Sequence, residues 1–302
     1  MNQPLDSNAA TPKRPFVFVG GGLGDVARRF YLSDTYELLG TRTEPLFVLC
    51  FSHNPAALDF FRFHPNHKHL MLMDLGHIYM SLIHDPKFDN KKINETLFAM
   101  CGFSDADLIA RRRDPKPIGR FYAPDSIANS TGHVVVHPFG RGWGDWPHPV
   151  NAQIREALRI VPSDVRVFVV CADYFAADGR RKFESFQSDQ PNVTVLKNLS
   201  APAVFSLVAS SSRFIGNISA LAQVAAFEGI PSIVLHPGRC IDFKPPFNDY
   251  SRTIWKSGGI AINYDTVAPA TLAEILRRFL KDIPNARFQR SAFDDFVITP
   301  AF

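Results

Sequence analysis

The sequence predicts an α/β protein built as two successive domains of mainly parallel sheet. Three observations predict it. Apolar runs alternate with amphipathic stretches along all 302 residues, the pattern of repeated strand–helix–strand units. A strand running into a glycine-rich turn occurs twice, in "FVFVGGGLGD" ending at Asp25 and in "VVVHPFGRGWGDWP" ending at Pro147. Between them, residues 111–130 are rich in Arg, Pro, Gly, Ser and Asn, the composition of a linker. The expected division is a disordered lead-in at 1–15, a first domain at 16–125 and a second at 126–302, with a last helix able to pack back on the first domain.

In the first domain, strands are expected at Phe16–Val19, Leu46–Phe51 and Leu70–Met73. The glycine cluster Gly20–Gly24 should separate the first strand from a helix running to about Leu39. Asn54 and Pro55 read as N-cap and N1 of a short helix ending near Phe63. The second domain should contain strands at Val134–His137, Val165–Cys171, Val193–Leu196, Phe214–Gly216 and Pro231–Leu235. Its helices are expected at Val150–Ile160, Ala201–Ser210, Ser219–Glu228 and Pro269–Leu280. Ser200 reads as the cap of the second of these, and Gly229 as the stop of the third.

Composition narrows the class. The formal net charge is only +4, so charge alone does not call for nucleic acid, although Arg111–Arg113, Lys116 and Arg120 form a local basic cluster. Phe is frequent, with 27 against 7 Tyr and 3 Trp, which points to thick apolar packing or to aromatic walls around a ligand. The N-terminal stretch is polar and lacks the apolar segment of a secretory signal, and no apolar run reaches the roughly 20 residues of a membrane span. A cytoplasmic location is expected. Cys50, Cys101, Cys171 and Cys240 are widely spaced and form no CxxC pair, so buried free thiols are expected. His64, His67 and His69 lie close in sequence but on no regular element that would aim all three at a metal.

Two segments carry the chemistry. In the first turn, Gly22-x-Gly24-x-x-Ala27 fits the loose dinucleotide fingerprint, yet the second strand ends in Cys50-Phe51-Ser52-His53 with no acid to hold a ribose. Asp25 stands at the start of the following helix, where it either caps that helix or serves as a general base. In the second turn, Gly140, Gly142 and Gly144 free the backbone to curl around phosphate oxygens, and Arg141 can add a charge-assisted contact. In "FIGNISALAQVAAFEGIPSIVLHPGR", Asn217 and Ser219 stand at a helix N-terminus, where free N–H groups either take an anion or are simply capped. Arg239 follows the next strand.

The order and spacing of these motifs resemble the ADP-heptose:lipopolysaccharide heptosyltransferases, a family of GT-B glycosyltransferases. "GGLGD" ending at Asp25 is similar to the family's opening turn and base. "HPFGRGWGDWP", from His137 to Pro147, is similar to its "HPG…K-WP" element. Ser219, Ala220 and Gln223 fall on the Thr/Ser, Gly and His of its D-[TS]-G-x-x-H helix start, followed by Gly229-x-Pro231. Three positions depart: Asp145 replaces the Lys, Gln223 replaces the His, and Asn217 lies one place before the family's Asp, whose own position is Ile218. The resemblance therefore implies the scaffold and the diphosphate logic more than any particular sugar.

What it implies is two Rossmann-like domains facing a cleft, and inverting, metal-independent transfer of a sugar from a nucleoside-diphosphate donor. Asp25 would be the base. The donor would be held by Gly22, Gly24, Gly140, Arg141, Gly142, Asn217, Ser219, Ala220, Gln223 and Arg239. The nucleotide base would lie near Cys171–Asp173 and Asn198–Ser200. No cofactor is implied beyond the donor substrate. The acceptor would be a glycan, a lipid-linked glycan or a modified nucleic-acid base. An NAD(P)-dependent oxidoreductase, a nucleotide-sugar epimerase and a catalytically silent binding protein are the alternatives.

Overall fold

A computed structural model of the chain describes residues 16–24, 27, 46–52, 57–58, 61, 68, 70–82, 87, 89, 132–140, 144–171, 186–240, 254, 258–281 and 283. The chain divides into two compact units, Met1–Asp114 and Pro115–Phe302. The expected boundary at 125/126 lies outside the described residues.

The first unit contains a parallel sheet of strands β1 (Phe16–Gly21), β2 (Leu46–Ser52) and β3 (Leu70–Asp74), in the order β1-β2-β3. Strand β1 runs two residues further than its side chains suggest. Gly20 and Gly21 pair with Phe51 and Ser52, because the ladder needs only their backbone groups. Gly22 forms the bend, and Leu23, Gly24 and Ala27 are helical. Helix α1 (Gly76–Leu82) follows β3 directly. The Asp74 Oδ1 accepts the Gly76 N–H at 2.8 Å, and a Cβ at position 76 would lie 2.6 Å from the Ser52 carbonyl oxygen, so only glycine fits this close turn. Cys50 is buried beneath it. Burial first, and the Asp74 carboxylate second, push its thiol up to about 11.

The second unit is built on six parallel strands: β4 (Val134–His137), β7 (Val167–Cys171), β8 (Val193–Lys197), β9 (Arg213–Asn217), β10 (Ser232–His236) and β11 (Ile260–Asn263). Between β4 and β7, β5 (Phe139–Gly140) and β6 (Gly144–Asp145) form a small antiparallel ribbon. The segment read as a plain glycine turn is thus a hairpin. The large sheet has the order β11-β10-β9-β4-β7-β8. Counted from β4 this is 6-5-4-1-2-3, the doubly wound Rossmann order, with its switch point between β4 and β9.

Helices α2 (His148–Leu158) and α5 (Pro269–Leu280) pack together on one face of this sheet. Their core takes alternate strand residues, among them Val134, Val136, Val167, Val169, Ile215, Ile233 and Leu235. The pair α3 (Ala201–Ala209) and α4 (Ala220–Phe227) packs together as well, and α4 touches β9 and β10. Phe214 and Val234, one residue out of step with the first set, are fully buried. Each large apolar side chain so buried contributes about 1.5–3 kcal/mol.

Local chemistry explains the bounds. Helix α2 begins earlier than expected, at His148, because Pro147 stands at its N-cap and Pro149 is tolerated in the first turn. Helix α4 is rich in Ala, the best helix former, and Leu221–Phe227 are all buried. It ends in a Schellman motif: Gly229 takes φ +69°, its N–H meets the Ala226 carbonyl at 3.1 Å, and Ile230 N–H meets Ala225 at 2.8 Å. Pro231 then bars any continuation. The Gly-x-Pro element is a helix stop. Trp146 is a core residue, 1% exposed, and its backbone N–H donates to the Pro138 carbonyl at 3.2 Å, closing the hairpin. Helix α5 packs within the second unit, and residues 284–302 lie outside those described.

Candidate nucleotide site at the switch point

In a doubly wound sheet the strands on either side of the switch point send their connections to opposite faces, which opens a crevice at their carboxyl ends. Here those ends are His137 of β4 and Asn217 of β9. The two motifs singled out in the sequence meet at this place. His137 Nδ1 lies 3.1 Å from Ser219 Oγ, across 82 residues of chain. Gly140 stands against the start of the other motif: a Cβ there would lie 2.7 Å from the Ile218 carbonyl oxygen and 3.3 Å from Asn217 Cγ.

Each side chain is fixed by its own local structure. Asn217 is fully buried, and its Oδ1 accepts the Ile218 N–H at 2.7 Å. Ser219 is the N-cap of α4, its backbone extended and its Oγ accepting the Ala222 N–H at 3.4 Å. Ala220 opens the helix and is partly exposed. The amides of this first turn have no helical acceptor, so the helix presents N–H groups and the positive end of its dipole at the sheet edge. Gln223, one turn on, is 2% exposed, and among the described residues its Oε1 has no hydrogen-bond partner. His137 is partly exposed as a residue, but burial of its ring pushes its pKa down to about 4, so it is neutral near pH 7. Phe139 meets that ring edge-on, with centroids 6.4 Å apart.

The remaining expected site residues of the second unit lie at the carboxyl ends of its strands or outside the described residues. Cys171 ends β7, and its carbonyl accepts the Asn198 N–H at 3.0 Å. Asn198 follows β8 in the left-handed region, at φ +53°. Ser200 occupies the N-cap position of α3, as expected, but its side chain makes no capping hydrogen bond; Pro202, in the first turn, needs no acceptor for a backbone N–H. Arg239 is exposed after β10, near enough to Tyr264 to oppose the upward push that burial, Asp265 and Cys240 exert on that phenol. Gly238, beside it, donates its N–H to Asp265 Oδ2 at 2.7 Å. Gly22 and Gly24 belong to the first unit, partly exposed beyond β1. Asp25, Arg141 and Gly142 lie outside the described residues, and only the backbone of Asp145 is described.

His137 is not among the site residues that the sequence marks; the signal for it in the sequence is its place as the last residue of a strand feeding a glycine turn. Among the described residues no group of three or more His, Cys, Asp or Glu side chains is placed to hold a metal. No helix among them is long and apolar enough to cross a membrane.

No protein-family model and no curated protein matches the chain. Solved structures do. The E. coli heptosyltransferase WaaC, solved with ADP-2-deoxy-2-fluoro heptose, is similar at a TM-score of 0.51 and 10% identity, over 88% of this chain and 99% of that one. A glycosyl transferase family 9 structure from Veillonella parvula is similar at a TM-score of 0.51 and 11% identity, over 89% and 90% of the two chains. At these identities the likeness speaks for the fold: the chain has the α/β architecture of the GT-B glycosyltransferases.

Proposed function

We propose that the protein is a glycosyltransferase that moves a sugar from a nucleoside-diphosphate donor to an acceptor hydroxyl. The observation that carries this reading is the meeting of the "HPFG" and "NIS" segments at the switch point of a Rossmann-ordered sheet. Backbone amides at Gly140 and at Arg141 and Gly142, which follow it in sequence, together with those of the first turn of α4 at Ser219 and Ala220, would hold the diphosphate. Arg141 and Arg239 would supply cationic help. The base would lie toward Cys171, Asn198 and Ser200, with Asn217 and Gln223 beneath the sugar-diphosphate.

Asp25 takes the acceptor hydroxyl proton as that oxygen attacks the anomeric carbon, and the bond from that carbon to the diphosphate oxygen breaks. The configuration inverts. The leaving diphosphate gathers charge, and the amides already aimed at it stabilise that charge without a metal. The acceptor class is a glycan, a lipid-linked glycan or a modified nucleic-acid base, presented to Asp25. The dinucleotide alternative finds no support. Gly20 and Gly21 are strand residues paired with Phe51 and Ser52, and β2 ends at Ser52 without an acid for the ribose. The epimerase alternative has no observation in its favour.

A thermal-shift panel of nucleoside diphosphates, nucleotide-sugars and dinucleotides tests the reading. Stabilisation by one or more nucleoside-diphosphate sugars is the expected result. Stabilisation by NAD or NADP alone would overturn it. Asp25→Ala should then keep donor binding and lose transfer; normal transfer by that variant would make Asp25 a helix cap.

A further inference from the structure

The contact between His137 and Ser219 links the last residue of β4 to the cap of α4, and it leaves one ring nitrogen unused. Ser219 Oγ accepts the Ala222 N–H, and a hydroxyl that accepts one hydrogen bond can also donate one, here toward His137 Nδ1 at 3.1 Å. A neutral imidazole carries one proton. If the hydroxyl donates to Nδ1, that proton sits on Nε2. Among the described residues Nε2 has no hydrogen-bond partner, and His137 is partly exposed. The ring is also fixed in place, edge-on to Phe139 on one side and hydrogen-bonded to Ser219 on the other.

We infer that His137 binds the donor diphosphate directly, through Nε2–H to a phosphate oxygen, and that the Ser219 hydroxyl is the positioning group that sets this tautomer. The inference rests on the nucleotide reading above and deepens it by naming a neutral hydrogen-bond donor at the phosphates. Such a donor suits a site in which Asp145 stands at the position where the resembling family has a Lys. The bond is to a charged acceptor, so its loss should be felt more than that of an ordinary hydrogen bond. Burial that keeps the ring neutral means the tautomer, not the charge, is what Ser219 controls.

Two substitutions separate a ligand-binding role from a structural one. The amide of Asn reaches the Nδ1 position of a His and that of Gln reaches the Nε2 position. His137→Asn should therefore keep the link to Ser219 and lose the phosphate contact; His137→Gln should do the reverse. Titration calorimetry would use ADP, UDP, GDP and dTDP as probes, on the full chain. With the best of these, His137→Asn is expected to bind about tenfold more weakly or worse, and His137→Gln more tightly than His137→Asn. Wild-type affinity in His137→Asn with a loss in His137→Gln would show that the ring only braces α4, and would overturn the inference while leaving the nucleotide reading intact. Binding of none of the probes by the wild-type protein would overturn both. The tautomer has its own readout: ¹⁵N chemical shifts should place the His137 proton on Nε2 in the wild type and redistribute it in Ser219→Ala. A proton on Nδ1 in the wild type would contradict the inference whatever the affinities.

Discussion

Gly140 and Ile218 meet so closely that a Cβ on Gly140 would lie 2.7 Å from the Ile218 carbonyl oxygen. The obstacle is backbone, and Asn217 behind it is fully buried, so no flexible side chain can swing clear. Gly140→Ala should cost about 1–3 kcal/mol, the usual range for forced overpacking, and lower the melting temperature accordingly. It should weaken nucleoside-diphosphate binding as well, because relief requires the hairpin to move away from α4. Thermal melts and calorimetry on the same variant check both parts. An unchanged melting temperature would show that the hairpin shifts without penalty.

His137 gives the protein an acid-sensitive element whose sign is fixed. Burial lowers its pKa from 6.5 to about 4 in the folded chain, so below pH 6.5 the unfolded chain binds a proton that the folded chain refuses. The stability tied to this ring is present above pH 6.5 and is lost as the pH falls toward 4. His137→Gln should flatten part of the decline in melting temperature over that window. Parallel curves for the two proteins would place the acid sensitivity elsewhere.

Periodicity made the long elements readable. Strand β4 and helix α5 lie at their expected bounds, 134–137 and 269–280, because three consecutive Val and an amphipathic run with Pro at its start leave little choice. What failed was local. Gly20 and Gly21 read as turn, since glycine has no side chain to favour a sheet, yet β2 offered them backbone partners. The β5–β6 ribbon has two residues per strand, too few to show any period, and β11 is a four-residue strand not anticipated at all. The site divides in the same way. Ser219 and Asn217 were legible as residues at a helix N-terminus, a short-range property, although Asn217 is in fact the last residue of β9. The meeting of Ser219 with His137 spans 82 residues and depends on β4 and β9 being neighbours, which no local pattern states.

Asn198 holds the left-handed conformation at φ +53°, with its N–H on the Cys171 carbonyl. Asn tolerates this region better than most residues, and glycine better still. Asn198→Gly should leave stability within a few tenths of a kcal/mol, whereas Asn198→Val should cost about 1–2 kcal/mol. If the Asn198 side chain also contacts the base, Asn198→Gly will lose affinity while keeping its melting temperature. Denaturant unfolding of both variants, paired with binding of the best nucleotide, reads the two effects apart.

Gln223 carries the sharpest contrast between stability and binding. It is 2% exposed in a helix otherwise buried with apolar side chains, one turn from Ser219, and among the described residues nothing donates to its Oε1. An unsatisfied buried acceptor costs about 1–3 kcal/mol, and Met has nearly the shape of Gln without the amide. Gln223→Met should therefore raise the melting temperature in the absence of nucleotide. A polar group held at such a cost beside a proposed diphosphate site should have its partner in the ligand, so the same variant should bind the donor more weakly. Gln223→Glu would place a charge among buried apolar side chains and should lose both stability and binding. A Gln223→Met protein that is more stable and binds as well as the wild type would show that the amide takes no part in donor binding. A less stable one would show that the helix face around α4 uses the amide for packing.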